Sequence, residues 1–225
     1  AKSDNYEKYV NDFFELRKKK GMTIPKAKEL LLDPVYYGMM MVKENEADGL
    51  VSGAIHSTAD TLRPALQILK TAPDTKLVSA FFLMLVPNCE YGENGTFVFS
   101  DCGLNVNPNS EELAEIAHSS SKSFEQLTGK QSKIAMLSYS TYGSAKSELT
   151  EKVINATELV KQNYPELQVD GELQLDAAII PEIADMKAPG SDIKGKANTL
   201  IFPDLNAGNI GYKLTQRFAK AEAYG

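Results

Sequence analysis

Tryptophan is absent from this 225-residue chain, and cysteine and histidine are scarce, with two of each. Cys89 and Cys102 do not form a CxxC pair, which favours reduced or buried thiols over a disulfide or a metal site. Because His56 and His118 are the only imidazoles, a structural zinc site is not expected. The sequence therefore predicts neither a bound metal nor a resident cofactor.

Long apolar runs and an excess of basic charge are also missing. No stretch approaches the roughly 18 consecutive apolar residues of a membrane span, and the first ten residues, AKSDNYEKYV, lack the pattern of a signal peptide. We therefore expect a cytoplasmic protein with no membrane partner. The net charge of -6 argues against nucleic-acid binding, although a local cluster of cations could still bind a small anion.

Motifs of several enzyme classes are absent or incomplete. The segment GSDIKGKA, residues 190–197, nearly matches a phosphate-binding loop, but Ala197 replaces the required Ser or Thr and the context is wrong. No GxSxG is present, so an α/β-hydrolase triad is unsupported. HExxH and EF-hand patterns are missing as well.

The sequence does contain a pattern that predicts alternating strands and helices. A long apolar strand is predicted at residues 76–86, and the turn PNCEYGENG leads to an antiparallel return strand, TFVFSD. The strands KIAMLSY, LQVDGELQ and NTLIFP are followed by helices predicted at about residues 148–163, 177–186 and 210–222, which indicates a mostly parallel sheet flanked by helices. The pattern changes near residues 70–75. We therefore predict an α/β fold, with residues 1–71 as part of a first α/β domain and residues 72–222 as a second.

The stretch ADGLVSGAIHSTADTLRPALQILKTAP, residues 47–73, carries a candidate anion site. We predict a short buried strand at residues 49–53 and a helix over residues 62–69, with Arg63 and Pro64 in its first turn. A helix N-terminus carries about half a positive charge, and Arg63 could add charge-assisted hydrogen bonds of about 1.5–3 kcal/mol each. The alternative is a surface salt bridge, which contributes at most about 1 kcal/mol.

Three loops are predicted to lie at the carboxyl ends of strands, where α/β sheets collect ligands. They are SGAIHSTADTLR, SYSTYGSAKS and FPDLNAGNIG, and any one of them could also be an ordinary turn or cap. His56 could act as a general base, but a structural role is favoured, and Asp60 is favoured as a helix cap. Arg17, in RKKKG, either complements a helix C-terminus or binds a ligand.

Several long strings resemble the phosphate acetyltransferase (phosphotransacetylase) family. They are residues 47–73, together with VFSDCGLNVNPNSEELAEIA, AMLSYSTYGSAKS, DGELQLDAAIIPEIADMKAPGS and FPDLNAGNIGYKLTQRFAKAEAYG. The resemblance covers essentially the whole chain. It implies an isocitrate/isopropylmalate dehydrogenase-like two-domain architecture, a homodimer, and exchange of acetyl groups between acetyl-CoA and inorganic phosphate.

The resemblance also assigns roles to residues. Arg17 and Arg63 correspond to family arginines implicated in binding coenzyme A. From the small and hydroxyl-rich loops themselves, rather than from the resemblance, we further expect contacts to inorganic phosphate or acetyl phosphate from Ser57, Thr58, Thr61, Ser140, Thr141, Gly143 and Ser144. The implied chemistry is direct attack of the CoA thiolate on acetyl phosphate.

The resemblance leaves the catalytic groups unassigned. The family's serine–arginine pair and catalytic aspartate are expected beyond Gly225, and its first α/β segment before Ala1, so this fragment alone is expected to be inactive. Two alternatives remain open: a phosphate butyryltransferase, and a non-catalytic regulatory module of the same fold. A decarboxylating dehydrogenase of related fold is disfavoured, because the sequence has no cluster of metal-binding aspartates.

Overall fold

The chain divides into two compact units, Ala1–Thr75 and Lys76–Gly225. The structure is a computed structural model, and it describes residues 5–71 and 75–225. The boundary predicted between residues 71 and 72 adjoins residues 72–74, which lie outside the described residues, so the domain limits 1–71 and 72–222 stay a prediction. Each unit is described separately below.

The first unit is helical in its described part. Its elements are α1 (Tyr6–Arg17), a 3-10 turn (Lys18–Lys20), α2 (Ile24–Leu30), α3 (Pro34–Lys43) and α4 (Thr58–Ile68). Thr23 and Asp33 cap α2 and α3 by accepting backbone N–H groups, and a proline follows within the first two positions of each helix. Apolar and aromatic side chains on these helices form one core, whose fully buried members include Tyr9, Phe13 and Met40.

Two predictions for this unit are wrong. Residues 49–53 are not a buried strand: they are irregular and exposed, and Val51 is 100% exposed. A strand needs a neighbour to satisfy its backbone groups, and the described part of this unit contains no other strand. Helix α4 also begins earlier than predicted, because Ser57 caps it by accepting the N–H of Asp60 at 3.2 Å. Arg63 and Pro64 therefore lie in the second turn rather than the first.

The second unit is a six-stranded sheet with helices packed against it. In chain order the elements are β1 (Phe81–Leu85), the short helical turn α5 (Tyr91–Asn94), β2 (Thr96–Ser100), α6 (Ser110–Thr128), β3 (Lys133–Leu137), α7 (Glu148–Asn163), β4 (Gln168–Leu173), α8 (Leu175–Ile179), α9 (Pro181–Lys187), β5 (Thr199–Ile201), α10 (Leu205–Phe218) and β6 (Glu222–Tyr224). The strand order is β4-β3-β5-β2-β1-β6.

The pairing pattern confirms the predicted fold class. Strands β4, β3, β5 and β2 run parallel, and β1 runs antiparallel to both β2 and β6. The predicted hairpin is β1–β2, with Phe81 opposite Ser100 and Leu85 opposite Thr96. Strand β6 was not predicted, because the last helix was expected to run to about residue 222. The chain instead turns at Lys220, whose φ of 54° is left-handed, and pairs along the free edge of β1.

Alternation along the strands divides the core between the two faces of the sheet. On β3, Ile134 and Met136 join the cluster formed with α6 and α7, whereas Ala135 and Leu137 join the cluster on the other face. After β3 the chain moves to β4 on one side, and it later returns to β5 on the other side of β3. The sheet therefore has a topological switch point between the carboxyl ends of β3 and β5.

Candidate anion-binding sites

Arg17 and Arg63 line the same pocket of the first unit, although they lie 46 residues apart in the sequence. Arg17 is the last residue of α1 and is half-buried, and Arg63 is exposed on α4. The pocket has a volume of about 280 Å³. Its lining comprises Arg17, Lys20, Gly21, Met22, Lys26, Leu30, Tyr36, Arg63 and Gln67.

The charge of this pocket has one sign. Four cations line it, namely Arg17, Lys20, Lys26 and Arg63, and no carboxylate does. Within residues 5–71 and 75–225, none of the four forms an ion pair with a carboxylate. The Nε of Arg17 is buried without a hydrogen-bond partner. The surface salt bridge considered for Arg63 is therefore not formed among the described residues.

Tyr36 contributes a phenol to the same pocket. It is buried, and its hydroxyl donates a long hydrogen bond of 3.4 Å to Oε1 of Gln67. Burial raises the pKa of Tyr36, and the charges of Arg63 and Arg17 act in the opposite direction. The phenol is therefore a protonated donor at neutral pH, placed where both guanidinium groups influence it.

The hydroxyl loop before α4 does not join this pocket. Ser57 is the helix cap, and its hydroxyl also donates to Oδ2 of Asp60 at 2.7 Å, which lowers the pKa of Asp60. Thr58 is exposed, and the buried Oγ1 of Thr61 has no partner in the described part of the chain. None of the three lines the arginine pocket. His56 lies beside another acid, with its Nε2 3.7 Å from Oδ2 of Asp33.

In the second unit, the loop between β3 and α7 carries Ser140, Thr141, Gly143 and Ser144. Its donors are already bonded. The hydroxyl of Ser140 and the N–H of Gly143 both donate to Oε1 of Glu172, each at 2.8 Å. The N–H of Thr141 donates to the hydroxyl of Ser144 at 3.1 Å, and the hydroxyl of Thr141 accepts the N–H of Gln174. The structure thus places a protein carboxylate against the groups predicted to hold phosphate.

Sequence reasoning missed three residues of these two sites. Lys20 and Lys26 line the arginine pocket, and the cationic run RKKKG was the available signal for the first of them. Glu172 is 2% exposed on β4. The sequence signal for Glu172 was the alternation of acids in VDGEL, where Asp170 and Glu172 are two residues apart. Two carboxylates on one face of a buried strand require partners.

The second unit contains a pocket that is lined by both cationic and acidic side chains. It occupies about 450 Å³ and includes Lys133 and Asn198 at the amino ends of β3 and β5, opposite the loop that Glu172 contacts. Lys196 and the acids Glu90 and Glu182 also line it. Cations and carboxylates occur together there, so the pocket lacks the single-sign field that marks the arginine pocket.

Neither a membrane-spanning helix nor a metal-binding cluster occurs among the described residues. Over residues 5–71 and 75–225, no helix combines the length and the apolar character that crossing a bilayer requires. In the same part of the chain, no group of three or more His, Cys, Asp or Glu side chains could hold a metal ion.

Comparison with known proteins gives consistent matches. The profile of the family described as phosphate acetyl/butaryl transferase matches residues 1–225. The phosphate acetyltransferase of Acetivibrio thermocellus is 69% identical over 223 residues, which are 99% of this chain and 67% of that protein. That of Thermoanaerobacterium thermosaccharolyticum is 61% identical over 224 residues, 100% of this chain and 68% of that protein.

Solved structures of phosphotransacetylases also match the fold of this chain. A phosphotransacetylase from Streptococcus pyogenes superposes with a TM-score of 0.89 at 47% identity and covers 100% of this chain and 66% of its own. EutD phosphotransacetylase from Staphylococcus aureus gives a TM-score of 0.87 at 45% identity, covering 99% and 66%. This chain thus spans about two thirds of the length of the relatives that it matches.

Proposed function

This chain belongs to the phosphate acetyl/butaryl transferase family, and from that membership we propose that it is part of an acyltransferase that reversibly interconverts acetyl-CoA plus inorganic phosphate with acetyl phosphate plus coenzyme A. The observation that carries the proposal is the match over all 225 residues, with 69% identity to a phosphate acetyltransferase. The cluster of cations around Arg17 and Arg63 supplies a site suited to an anionic substrate.

We propose that this pocket holds phosphate groups of coenzyme A. Four cations that have no carboxylate partner within residues 5–71 and 75–225 favour a ligand with several negative charges, and coenzyme A carries a pyrophosphate and a 3′-phosphate. Each charge-assisted hydrogen bond contributes about 1.5–3 kcal/mol. The volume of about 280 Å³ suits one phosphate-bearing part of the coenzyme rather than all of it.

The proposed chemistry is direct acyl transfer. The CoA thiolate attacks the carbonyl carbon of acetyl phosphate, a C–S bond forms, and the C–O bond to phosphate breaks, so that inorganic phosphate leaves with the electron pair. Positioning of the two substrates lowers the barrier by removing the entropic cost of their encounter. The proton of the thiol requires a base, and no residue of this chain is assigned to that role.

The activity is tested by thiol release from acetyl-CoA on addition of phosphate. The chain is assayed alone and as a chimera, in which it replaces the matching 223 residues of the Acetivibrio thermocellus relative. We expect turnover by the chimera and little by the chain alone. A chimera that folds but releases no thiol would overturn the proposal.

The coenzyme site is tested by titrating this chain with adenosine 3′,5′-bisphosphate, which carries the 3′-phosphate and one phosphate of the CoA diphosphate. We expect Arg63→Ala, Arg17→Ala and Lys20→Ala each to weaken binding by about 10- to 100-fold. Lys19→Ala is the matched control, since Lys19 belongs to the same 3-10 turn but does not line the pocket. Equal losses in Lys19→Ala and Lys20→Ala would contradict a local site.

The acyl group is a separate question, because the family description includes butyryl as well as acetyl transfer. The relatives at 69% and 61% identity are phosphate acetyltransferases, which favours acetyl. Comparison of acetyl-CoA with butyryl-CoA in the chimera decides it. A non-catalytic regulatory role would leave nucleotide binding intact in a chimera without turnover.

We further propose a cytoplasmic homodimer with no nucleic-acid or membrane partner. Ile210, Leu214 and Phe218 recur every four residues on one face of α10 and are 57%, 48% and 84% exposed, and such an apolar stripe favours contact with another protein surface. A second copy of the chain is the proposed partner. Sedimentation of the wild type and of Phe218→Glu tests this, and a monomeric wild type would refute it.

A further inference from the structure

The loop between β3 and α7 resembles an anion-binding cradle that a protein carboxylate already fills. Oε1 of Glu172 accepts the hydroxyl of Ser140 and the N–H of Gly143, both at 2.8 Å. The hydroxyl of Ser140 in turn accepts the N–H of Ala145 at 3.0 Å. The two bonds to Glu172 have ordinary hydrogen-bond lengths, and Glu172 is 2% exposed.

The position of the loop connects it with ligand binding. It follows β3 at the carboxyl edge of the sheet, which is the edge where open α/β sheets bind ligands, and its hydrogen bonds run to the end of β4, on the side of β3 away from β5. Gly143 and Ser144 are exposed, whereas Ser140 is fully buried, so the cradle borders solvent on the side of Gly143. Glu172 approaches the same donors from the inside, at the end of β4.

We propose that Glu172 is an internal substitute for a tetrahedral oxyanion: its carboxylate keeps the cradle of residues 140–145 in shape, and phosphate binds there by displacing it. Carboxylate and phosphate oxygens accept the same hydrogen bonds at similar lengths. Two negative charges a few ångströms apart in a partly buried site repel each other strongly. Occupation by one therefore excludes the other. The proposal deepens the function proposed above, on which it depends only for naming phosphate as the anion.

Asp170 provides a matched control on the same strand. It is 3% exposed, but Oδ2 accepts the phenol of Tyr142 at 2.6 Å and Oδ1 lies 3.7 Å from Nζ of Lys161. No loop N–H donates to it among the described hydrogen bonds. Asp170→Asn thus removes a buried charge two residues away, frees none of the donors that bind Glu172, and keeps an amide oxygen that can still accept the phenol of Tyr142.

The test is a sulfate titration of the chain labelled with 15N and 13C, followed at the amides of Gly143 and Ala145 and at the side-chain carboxyl carbon of residue 172. Sulfate is used first because its charge does not change near neutral pH, and inorganic phosphate is titrated next. In Glu172→Gln the side chain keeps its length and its acceptor oxygen but loses the charge, so we expect about tenfold tighter anion binding or more. Asp170→Asn is expected to remain within about twofold of the wild type.

Three outcomes overturn the proposal. They are a Glu172→Gln variant with unchanged anion affinity, an equal gain in Asp170→Asn, and no response at Gly143 or Ala145 in any of the proteins. Should Glu172→Gln fail to fold, the wild type still decides, because bound sulfate must shift the side-chain carboxyl carbon of Glu172 together with the amide of Gly143. An amide shift without the carboxyl shift would also refute displacement.

This experiment separates the inference from the activity. Anion binding at residues 140–145 is read on the chain itself and needs no turnover. A catalytically active chimera whose cradle ignores sulfate would leave the proposed function standing and remove the role of Glu172. An inactive chimera whose cradle binds sulfate in competition with Glu172 would do the reverse.

Discussion

Lys8 and Lys187 each have a carboxylate oxygen within hydrogen-bonding distance of Nζ, at 2.8 and 2.7 Å, whereas the described part of the chain offers Arg17 and Arg63 no such partner. Sequence identified the two arginines through the strings around them. It could mark Glu172 as a buried acid that needs a partner but could not name that partner, since the groups that this acid binds lie 29 to 32 residues earlier and meet it only when β3 and β4 pair. Long-range partners of this kind depend on the fold rather than on local pattern.

At the same scale, His118 predicts a dependence of stability on pH. Its ring stacks on Tyr164 at 3.8 Å. Burial lowers the pKa of His118, nearby Lys122 and Lys76 act in the same direction, and Glu115 and Glu166 oppose them. A lowered folded-state pKa means that the unfolded chain binds the proton more tightly. Stability is then fully present above about pH 6.5 and is lost as pH falls through the folded-state pKa.

The measurement is the free energy of unfolding in urea at about pH 7.5 and about pH 5.5. We expect His118→Phe, which keeps a ring against Tyr164, to lose less stability across this interval than the wild type. Glu115 also has a lowered pKa, because hydrogen bonds from Lys76 and Tyr164 outweigh its burial, but its contribution is lost only at lower pH. Identical pH slopes in the two proteins would show that His118 is not responsible.

Among the elements, α7 was predicted accurately and the segment at residues 49–53 was not. Helix α7 spans Glu148–Asn163 because its signals are local: Ser147 and Thr150 form a reciprocal cap. The 49–53 segment has strand-like composition, but a strand also requires a neighbour, which composition does not supply. Strand β6 was missed for the complementary reason, since the exposed edge of β1 stabilises a three-residue strand that has little propensity of its own.

Near its N-terminal end, at Gly208, the backbone of helix α10 packs closely against the backbone of Asp101 in the turn after β2. A Cβ on Gly208 would lie 2.2 Å from the carbonyl oxygen of Asp101, so Gly208→Ala must displace the helix or the turn after β2. We expect a loss of about 1–3 kcal/mol in thermal or urea unfolding.

The control for that prediction is Gly211→Ala in the same helix. Its Cβ would meet the ring of Phe202 at 2.9 Å, which a side-chain rotation can relieve, and alanine favours the helix by about 0.5–1 kcal/mol over glycine. We expect Gly211→Ala to change stability by less than about 1 kcal/mol. If the two variants were equally stable, the backbone contact would not limit α10.

For the whole molecule, the division into Ala1–Thr75 and Lys76–Gly225 predicts independent folding of the second unit. Two apolar clusters cover the two faces of its sheet, and both consist of residues from position 77 onward. A unit of about 150 residues buries enough surface to fold by itself. Composition had indicated a change of pattern near residues 70–75, but a boundary is a property of contacts, and sequence locates it only approximately.

The corresponding experiment is expression of residues 76–225 alone. We expect one cooperative thermal transition, and dispersed amide resonances from the β1–β2 hairpin and the parallel strands. A non-cooperative melt would mean that the second unit needs the first. In that case, adding residues 1–75 as a separate polypeptide would restore a cooperative transition. That result would contradict independent folding of the second unit.

The hydrogen bonds between tyrosines and carboxylates have an optical consequence. Tyr9, Tyr142 and Tyr164 donate their phenolic protons to glutamate or aspartate oxygens at 2.5 to 2.9 Å, and carboxylate acceptors quench the excited state of a phenol. With no tryptophan in the chain to collect their energy, these rings emit weakly in the native state. Loss of structure should therefore brighten the intrinsic ultraviolet fluorescence, which gives both units a label-free reporter of their integrity.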